Sequence, residues 1–247
     1  MNPLEVDVLR SADQMAAAER ALVERDLLDQ ASDGLLARIG RRLGLSVPTA
    51  TLIPDPRKSW DIQRALEALQ RQCSRDDPVL DMGSLASAIP PALHRLGYRQ
   101  VHGIDLNPRV LAMPHTEHVD YRVGDMMNTP FQDGTFSAIT AISVIEHDFQ
   151  PEPLLQEVRR LLRPGGFFFF STDYWPEKID TGDVRPCSMG WTLFSVDEIE
   201  GFLRQAARLG LDPVADPGET LRAVDEKPIS FGGFDYTFLA GALVLRR

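Results

Sequence analysis

Residues 79–105 hold two short apolar runs that each stop at an acid, the first ending in Asp81-Met82-Gly83-Ser84 and the second, 101–104, ending in Asp105. A strand that stops at an acid and a glycine, followed by a helix and a second strand tipped with a carboxylate, puts one turn and one acid at adjacent ends of a parallel sheet. The turn is expected to let a ligand approach backbone N–H groups, and Asp105 can accept hydrogen bonds from both hydroxyls of a ribose. This is the pattern of a nucleoside site.

The rest of the chain divides around it. Residues 1 to about 72 read as helical, with helical spacing over 15–30, 34–45 and 60–72, the last started by Ser59 or Asp61. A Pro-rich stretch, 47–56, separates the second and third of these. From Val79 the period changes to strand, helix, strand, the mark of a parallel sheet with crossover helices. Pro90 and Pro91 suit a first turn, so the first crossover helix is expected near Ile89, stopping at Gly97. Later come a helix over 196–209, with Ser195 and Glu198 as a capping box, and a last strand over 236–245.

Further pieces follow in a fixed order. Gly124-Asp125-Met126 succeeds a third candidate strand at 119–123, and 129–136 leads into the apolar run 138–144. Ile145-Glu146-His147 comes next, then a helix from about Glu152, and then Arg163-Pro164-Gly165-Gly166 opening the run 167–170. Taken together, residues 79–171 resemble the class I S-adenosylmethionine-dependent methyltransferases of the small-molecule, type 11 kind. Leu85 and Ser87 stand where that family's glycine loop has its second and third glycines. The cofactor carries no pyrophosphate, so the loop need not offer a helix N-terminus as fully as a dinucleotide site does.

The resemblance implies an α/β fold: a Rossmann-like, seven-stranded, mostly parallel sheet with helices on both faces, plus an N-terminal helical extension. It implies a methyltransferase domain over 73–247, with 1–72 as the extension or lid and 173–194 as an acceptor-recognition insert. Asp81, Gly83, Ser84, Asp105, Leu106, Asp125, Met126 and Ser143 are the cofactor-binding residues it implies, with Asp81 on the loop and the methionyl ammonium and Asp125 on the adenine amino group. Tyr174, Trp175 and Trp191 are expected to meet the acceptor, although aromatics there equally suit packing of the insert. Ser143-Val144-Ile145-Glu146-His147 resembles a Glu-x-x-Glu-His element that binds a divalent metal in some relatives. Ser143 replaces its first acid, and one carboxylate and one imidazole are too few for a tight site, so no metal is expected. His147 then reads as a general base for an acceptor hydroxyl, or as part of an acid-imidazole pair that orients the next helix.

Charge and composition narrow the partners. A net charge of −10 argues against a nucleic-acid backbone, which needs clustered Lys and Arg. Two cysteines in 247 residues are too few for a disulfide framework. No long apolar run opens the chain, so neither a secretory signal nor a membrane span is expected, and a cytoplasmic protein is. The expected activity is methyl transfer to a small-molecule acceptor, at oxygen rather than nitrogen or carbon. A nicotinamide-dependent oxidoreductase is the rival, set back by the missing Gly-x-Gly-x-x-Gly, and a cofactor-binding assembly protein without catalysis is the third reading. The apolar faces of the N-terminal helices suit a cover over the cleft or a homodimer contact.

Overall fold

The computed structural model describes residues 2–28, 55–148 and 150–246. The expected helix at 34–45 and most of the Pro-rich stretch lie outside them. Among the described residues, strands β1 (Asp7–Val8), β2 (Val79–Met82), β3 (Val101–Asp105), β4 (Val119–Val123), β5 (Phe136–Ile142), β6 (Leu162–Tyr174), β7 (Leu211–Pro213), β8 (Ile229–Phe231) and β9 (Phe234–Leu245) alternate with six α-helices. These are α1 (Ala12–Glu24), α2 (Ser59–Gln72), α3 (Ile89–Arg95), α4 (Pro151–Leu161), α5 (Val196–Arg208) and α6 (Gly218–Arg222).

The sheet path is β1-β9-β6-β5-β2-β3-β4, seven strands, with β7 and β8 also pairing with β9. Strands β4, β3, β2, β5 and β6 run parallel, and β9 is antiparallel to β6. From β2 the chain winds outward through β3 and β4, then returns to β5 on the other side. That reversal opens a crevice beyond the carboxyl ends of β2 and β5, where α/β sheets bind ligands.

Period two sorts the side chains between two cores. Phe167 and Phe169 face α1, α2 and α3 with Val79, Ala138, Tyr236 and Phe238, whereas Phe168 and Phe170 face α4 and α5 with Leu80, Ile139 and Leu243. A sheet covered on both faces needs apolar residues at every position, which is why 167–170 is an unbroken run of phenylalanines. Helix α2 is buried almost all round, from Trp60 and Ile62 to Leu66 and Leu69, because it lies between the sheet and α1. The apolar face of α1, Ala18 and Leu22, is spent inside the chain.

Two expectations change. The N-terminal segment is not wholly helical: Asp7 and Val8 pair antiparallel with Ala240 and Leu239 of β9. Asp7 also accepts from Arg64 of α2 at 3.2 Å, which ties the added strand to the helix above it. The fifth expected strand begins earlier, since Leu162 follows directly on α4 and Gly165, at φ +80°, lets the chain turn into the sheet. Helix α3, with Pro at its start and Gly97 past its end, and the Ser195–Glu198 capping box of α5 are as the sequence leads one to expect. No helix among the described residues is long and apolar enough to cross a membrane.

Strand β1 sits where it does because Gly241 has no side chain: a Cβ there would stand 2.7 Å from the Val6 backbone. Gly241→Val is therefore expected to push residues 4–8 off β9 and to cost about 1–3 kcal/mol, the usual penalty for overpacking. Urea denaturation reads the cost, and faster amide exchange confined to residues 4–8 and their β9 partners locates it.

Candidate active site

The turn after β2 is built around a buried carboxylate. Asp81 is 1% exposed. Its Oδ1 accepts from Thr140 Oγ1 at 2.6 Å and its Oδ2 from Ser84 Oγ at 3.0 Å. Burial pushes its pKa up to about 6, against the pull of those hydroxyls. Gly83 follows at φ +75°, and a Cβ on it would stand 2.4 Å from Val144 Cγ2, so the turn and the chain after β5 pack as closely as a glycine allows. One expectation needs correcting here. The N–H groups of Gly83 and Ser84 both donate to the Ile104 carbonyl, at 2.9 and 3.1 Å, and that of Leu85 donates to Asp105. The β3 edge uses these donors internally, so the turn does not aim them at a ligand.

Beside the turn, Asp105 is half-buried at the end of β3. Its Oδ2 accepts from Leu85 N at 3.0 Å and its Oδ1 from Asn107 N at 2.8 Å, which fixes the carboxylate and leaves each oxygen a lone pair. Leu106 next to it is 67% exposed, an apolar side chain left bare between two acids. The second acid, Asp125, accepts from Met127 N at 2.8 Å after β4, with Met126 half-buried next to it.

A cavity of about 190 Å³ opens past the ends of β5 and β6, lined by Lys58, Ser143, Glu146, His147, Asp173, Trp191 and Tyr236 among others. Period two puts Ser171 and Asp173 of β6 on the same face as Asp81 and Thr140, so the sheet carries a row of polar groups under α2. Asp61 of α2 meets that row: its Oδ2 accepts from Ser171 Oγ at 2.8 Å, while its Oδ1 is buried without a partner. Burial pushes Asp61 up to about 6 as well, although Lys58 and Ser171 pull it down. Asp173 accepts from Trp191 Nε1 at 2.7 Å and pairs with Lys58 at 3.5 Å. Burial works against the Lys58 ammonium, but Asp173, Glu146 and Asp61 together outweigh it and raise its pKa. The pKa of Glu146, which is 1% exposed, is raised well above its ordinary value by burial and then by Asp173. Burial lowers the His147 pKa, so the ring is neutral at physiological pH, and its Nδ1 has no partner.

The expected acceptor-facing aromatics separate. Trp191 lines the cavity. Tyr174 does not: it is fully buried on the opposite face and donates its hydroxyl to the Leu221 carbonyl. Trp175 stands off the cavity too, with Lys227 4.3 Å from its ring. Lys58, Asp61, Asp173 and Tyr236 were not expected at the site, Asp61 having been read only as a start of its helix. A signal was present in Lys58, Asp61, Ala65 and Ala68, one face at helical spacing, on which two charges share a side with two small apolar residues.

Comparison with known proteins bears on this crevice. Residues 80–170 match a family model described as a methyltransferase domain. An uncharacterized 37.1 kDa protein of a Streptomyces fradiae transposon is 30% identical over 208 residues, covering 76% of this chain and 58% of that protein. A ubiquinone biosynthesis O-methyltransferase of Xanthomonas oryzae is 36% identical over 101 residues, 38% of this chain and 42% of that one. The chain thus spans only about half the length of these curated relatives. Among solved structures, Haemonchus contortus phosphoethanolamine N-methyltransferase 2, in complex with S-adenosyl-L-methionine, superposes with a TM-score of 0.53 at 17% identity, over 74% of this chain and 52% of that one. An S-adenosylmethionine-dependent methyltransferase of Mesorhizobium loti does so at 0.52 and 16%, over 76% and 97%. At these identities the structures speak for the fold alone.

Two outcomes follow from the geometry. Gly83→Val is expected to lose both stability, on the order of 1–3 kcal/mol, and any ligand held by the turn, because the new side chain strikes Val144 in a backbone conformation that L-residues avoid. Thermal melts with and without ligand separate the two losses. For Asp61, whose folded pKa is raised, the stability it contributes is fully present below pH 4 and is lost as pH rises through about 6. Asp61→Asn should therefore gain stability relative to the wild type as pH goes from 4 to 7, by an amount on the order of 1–3 kcal/mol read from paired denaturation curves. Parallel curves would exclude the assignment.

Proposed function

We propose that this chain, whose residues 80–170 match a methyltransferase domain, is a class I S-adenosylmethionine-dependent methyltransferase that transfers the cofactor's methyl group to an oxygen of a small-molecule acceptor. The observation that carries the reading is the make-up of the cavity past β5: its wall includes Ser143, whose neighbour Val144 packs on Gly83, and a neutral imidazole, His147. Oxygen is favoured because a neutral His147 suits a hydroxyl proton, and because relatives 36% identical over 101 residues carry the name O-methyltransferase. We further propose a cytoplasmic protein, on its two cysteines.

The crevice fits the cofactor. Asp105 has a free lone pair on each oxygen for the ribose hydroxyls, Leu106 and Met126 offer apolar surface for the adenine, and Asp125 offers an acceptor for its amino group. Asp81 orders the turn through Ser84 and Thr140 rather than facing the ligand. Gly83 and Ser143 form the wall toward the methionyl end, whereas Ser84, expected at the cofactor, is fully buried and only supports the turn. When bound, S-adenosylmethionine supplies a methyl group on a sulfonium sulfur. The chain's own part is to orient the acceptor in the cavity against Trp191, exclude water, and take the hydroxyl proton on His147. Among the described residues no three His, Cys, Asp or Glu side chains converge as a metal set.

Asp105→Ala is expected to weaken cofactor affinity by about 1.5–3 kcal/mol with the fold intact, the range for charge-assisted hydrogen bonds. Calorimetry with S-adenosylmethionine measures it, and an unchanged affinity would sink the ribose assignment. His147→Ala is expected to lower turnover at least tenfold, about 1.4 kcal/mol in the barrier, with cofactor affinity retained. A chelator should leave the wild-type rate alone. Full activity in the variant would return His147 to a packing role, and binding without turnover on any acceptor would favour a non-catalytic protein.

A further inference from the structure

Around the cavity the acids outnumber the bases. Asp55 is answered by Arg57, whose Nε donates to it at 2.8 and 3.0 Å. Asp173 is answered by Lys58 and by the Trp191 indole. Asp61 and Glu146 remain, and the ammonium that faces both, Lys58, is already paired with Asp173. Asp61 has the Ser171 hydroxyl and, at 3.5 Å, that of Ser143, and one of its oxygens has no partner. Glu146 has only the Thr172 hydroxyl, at 3.4 Å, as a side-chain partner. The other groups facing them supply no further positive charge: His147 from the loop is neutral, and Tyr236 from β9 keeps its proton. A bound sulfonium would balance one of the two acids. The other is held toward the neutral carboxyl by its burial, a form that a cationic ligand would ionise.

We propose that the acceptor carries a protonated amine, seated in the cavity against Glu146, with one substituted ring beside it. The volume has room for that ring: about 190 Å³ is slightly more than the roughly 150 Å³ that holds a benzene. The walls agree with a cation, since three lining rings, Trp191, Phe231 and Tyr236, form an aromatic corner, and Arg57 already stands 5.4 Å from the Phe231 ring. Lys58 over Phe238, 3.9 Å from the ring, already uses the same attraction in the adjoining wall. Binding of the amine turns Glu146 from carboxyl to carboxylate, and the released proton passes to solvent. The acceptor is then an amino alcohol or aminophenol, its amine at Glu146 and its hydroxyl toward His147. The proposal rests on the methyl-transfer reading and deepens it.

Calorimetry on the protein saturated with S-adenosylhomocysteine tests it with three isosteric probes, benzylamine, benzyl alcohol and benzoate. Benzylamine should bind at least tenfold more tightly than benzyl alcohol, with a heat that varies with the buffer because a proton is released, and benzoate should not bind. In Glu146→Gln, which copies the protonated carboxyl in shape, the preference for benzylamine and the buffer-dependent heat should both disappear while benzyl alcohol binds as before. The wild-type series decides alone should that variant not fold. Equal or better binding of benzyl alcohol or benzoate, or no binding of any probe, overturns the amine proposal. Binding of S-adenosylhomocysteine is measured first, and its absence would instead overturn the methyl-transfer reading beneath it.

Discussion

The hydrogen bond from Ser171 to Asp61 fixes the geometry on which the crevice depends. It joins α2 to the end of β6 under full burial. A carboxylate there is costly, as its pKa near 6 records, and an apolar residue of similar size would cost the fold less. What the carboxylate contributes is position. Because Asp61 is held one turn along from Lys58, the start of α2 is brought over the sheet edge, and the Lys58 ammonium reaches Asp173. A cover held only by apolar packing has several nearly equal registers, whereas one held by a buried polar contact has one.

Sheet parity explains which side chains the crevice receives. Asp81, Thr140, Ser171 and Asp173 come from three different strands, yet each falls on the phase of its strand that faces α2. The apolar residues one position away, Leu80, Ile139, Phe170 and Tyr174, all belong to the opposite core. The polar row therefore interrupts the apolar face only at the carboxyl ends of the strands, where the crevice opens. Buried hydroxyls of Ser84, Thr140 and Ser171 satisfy the acids at those ends, so the row adds few unpaired groups to the core.

That parity also accounts for what the sequence made legible. Each parallel strand and the helices that follow carry their own signals in apolar runs, Pro at helix starts and Gly at helix ends, and all but the longer β6 stand within a residue or two of the expected places. The acids Asp105 and Asp125 were readable because a strand end is a local feature. Tyr174 was misread as acceptor-facing when its neighbour Asp173 had the right phase; counting by twos from Phe167 and Phe169 puts Asp173 toward α2 and Tyr174 away. Strand β1 was invisible because two residues carry no period, and its pairing with β9 spans almost the whole chain. Lys58 and Asp61 were harder still. Their meaning depends on what α2 packs against, and only tertiary contact supplies that.

The segment after β5 shows how the cavity is held ready before any ligand arrives. Ser143 adopts φ +51°, a conformation that costs a residue with a Cβ, and its N–H donates to Ser171 at both the hydroxyl and the carbonyl. Two residues of the same short segment are then clamped from the other side: Thr192 N donates to the Glu146 carbonyl at 2.8 Å, and Asp148 exchanges hydrogen bonds with Gly190. Glu146 and His147 are thus fixed between the β6 edge and the 190–192 stretch, next to Trp191. Strain at Ser143 is offset by contacts that order the cavity wall, so the wall need not be reorganised when a ligand binds.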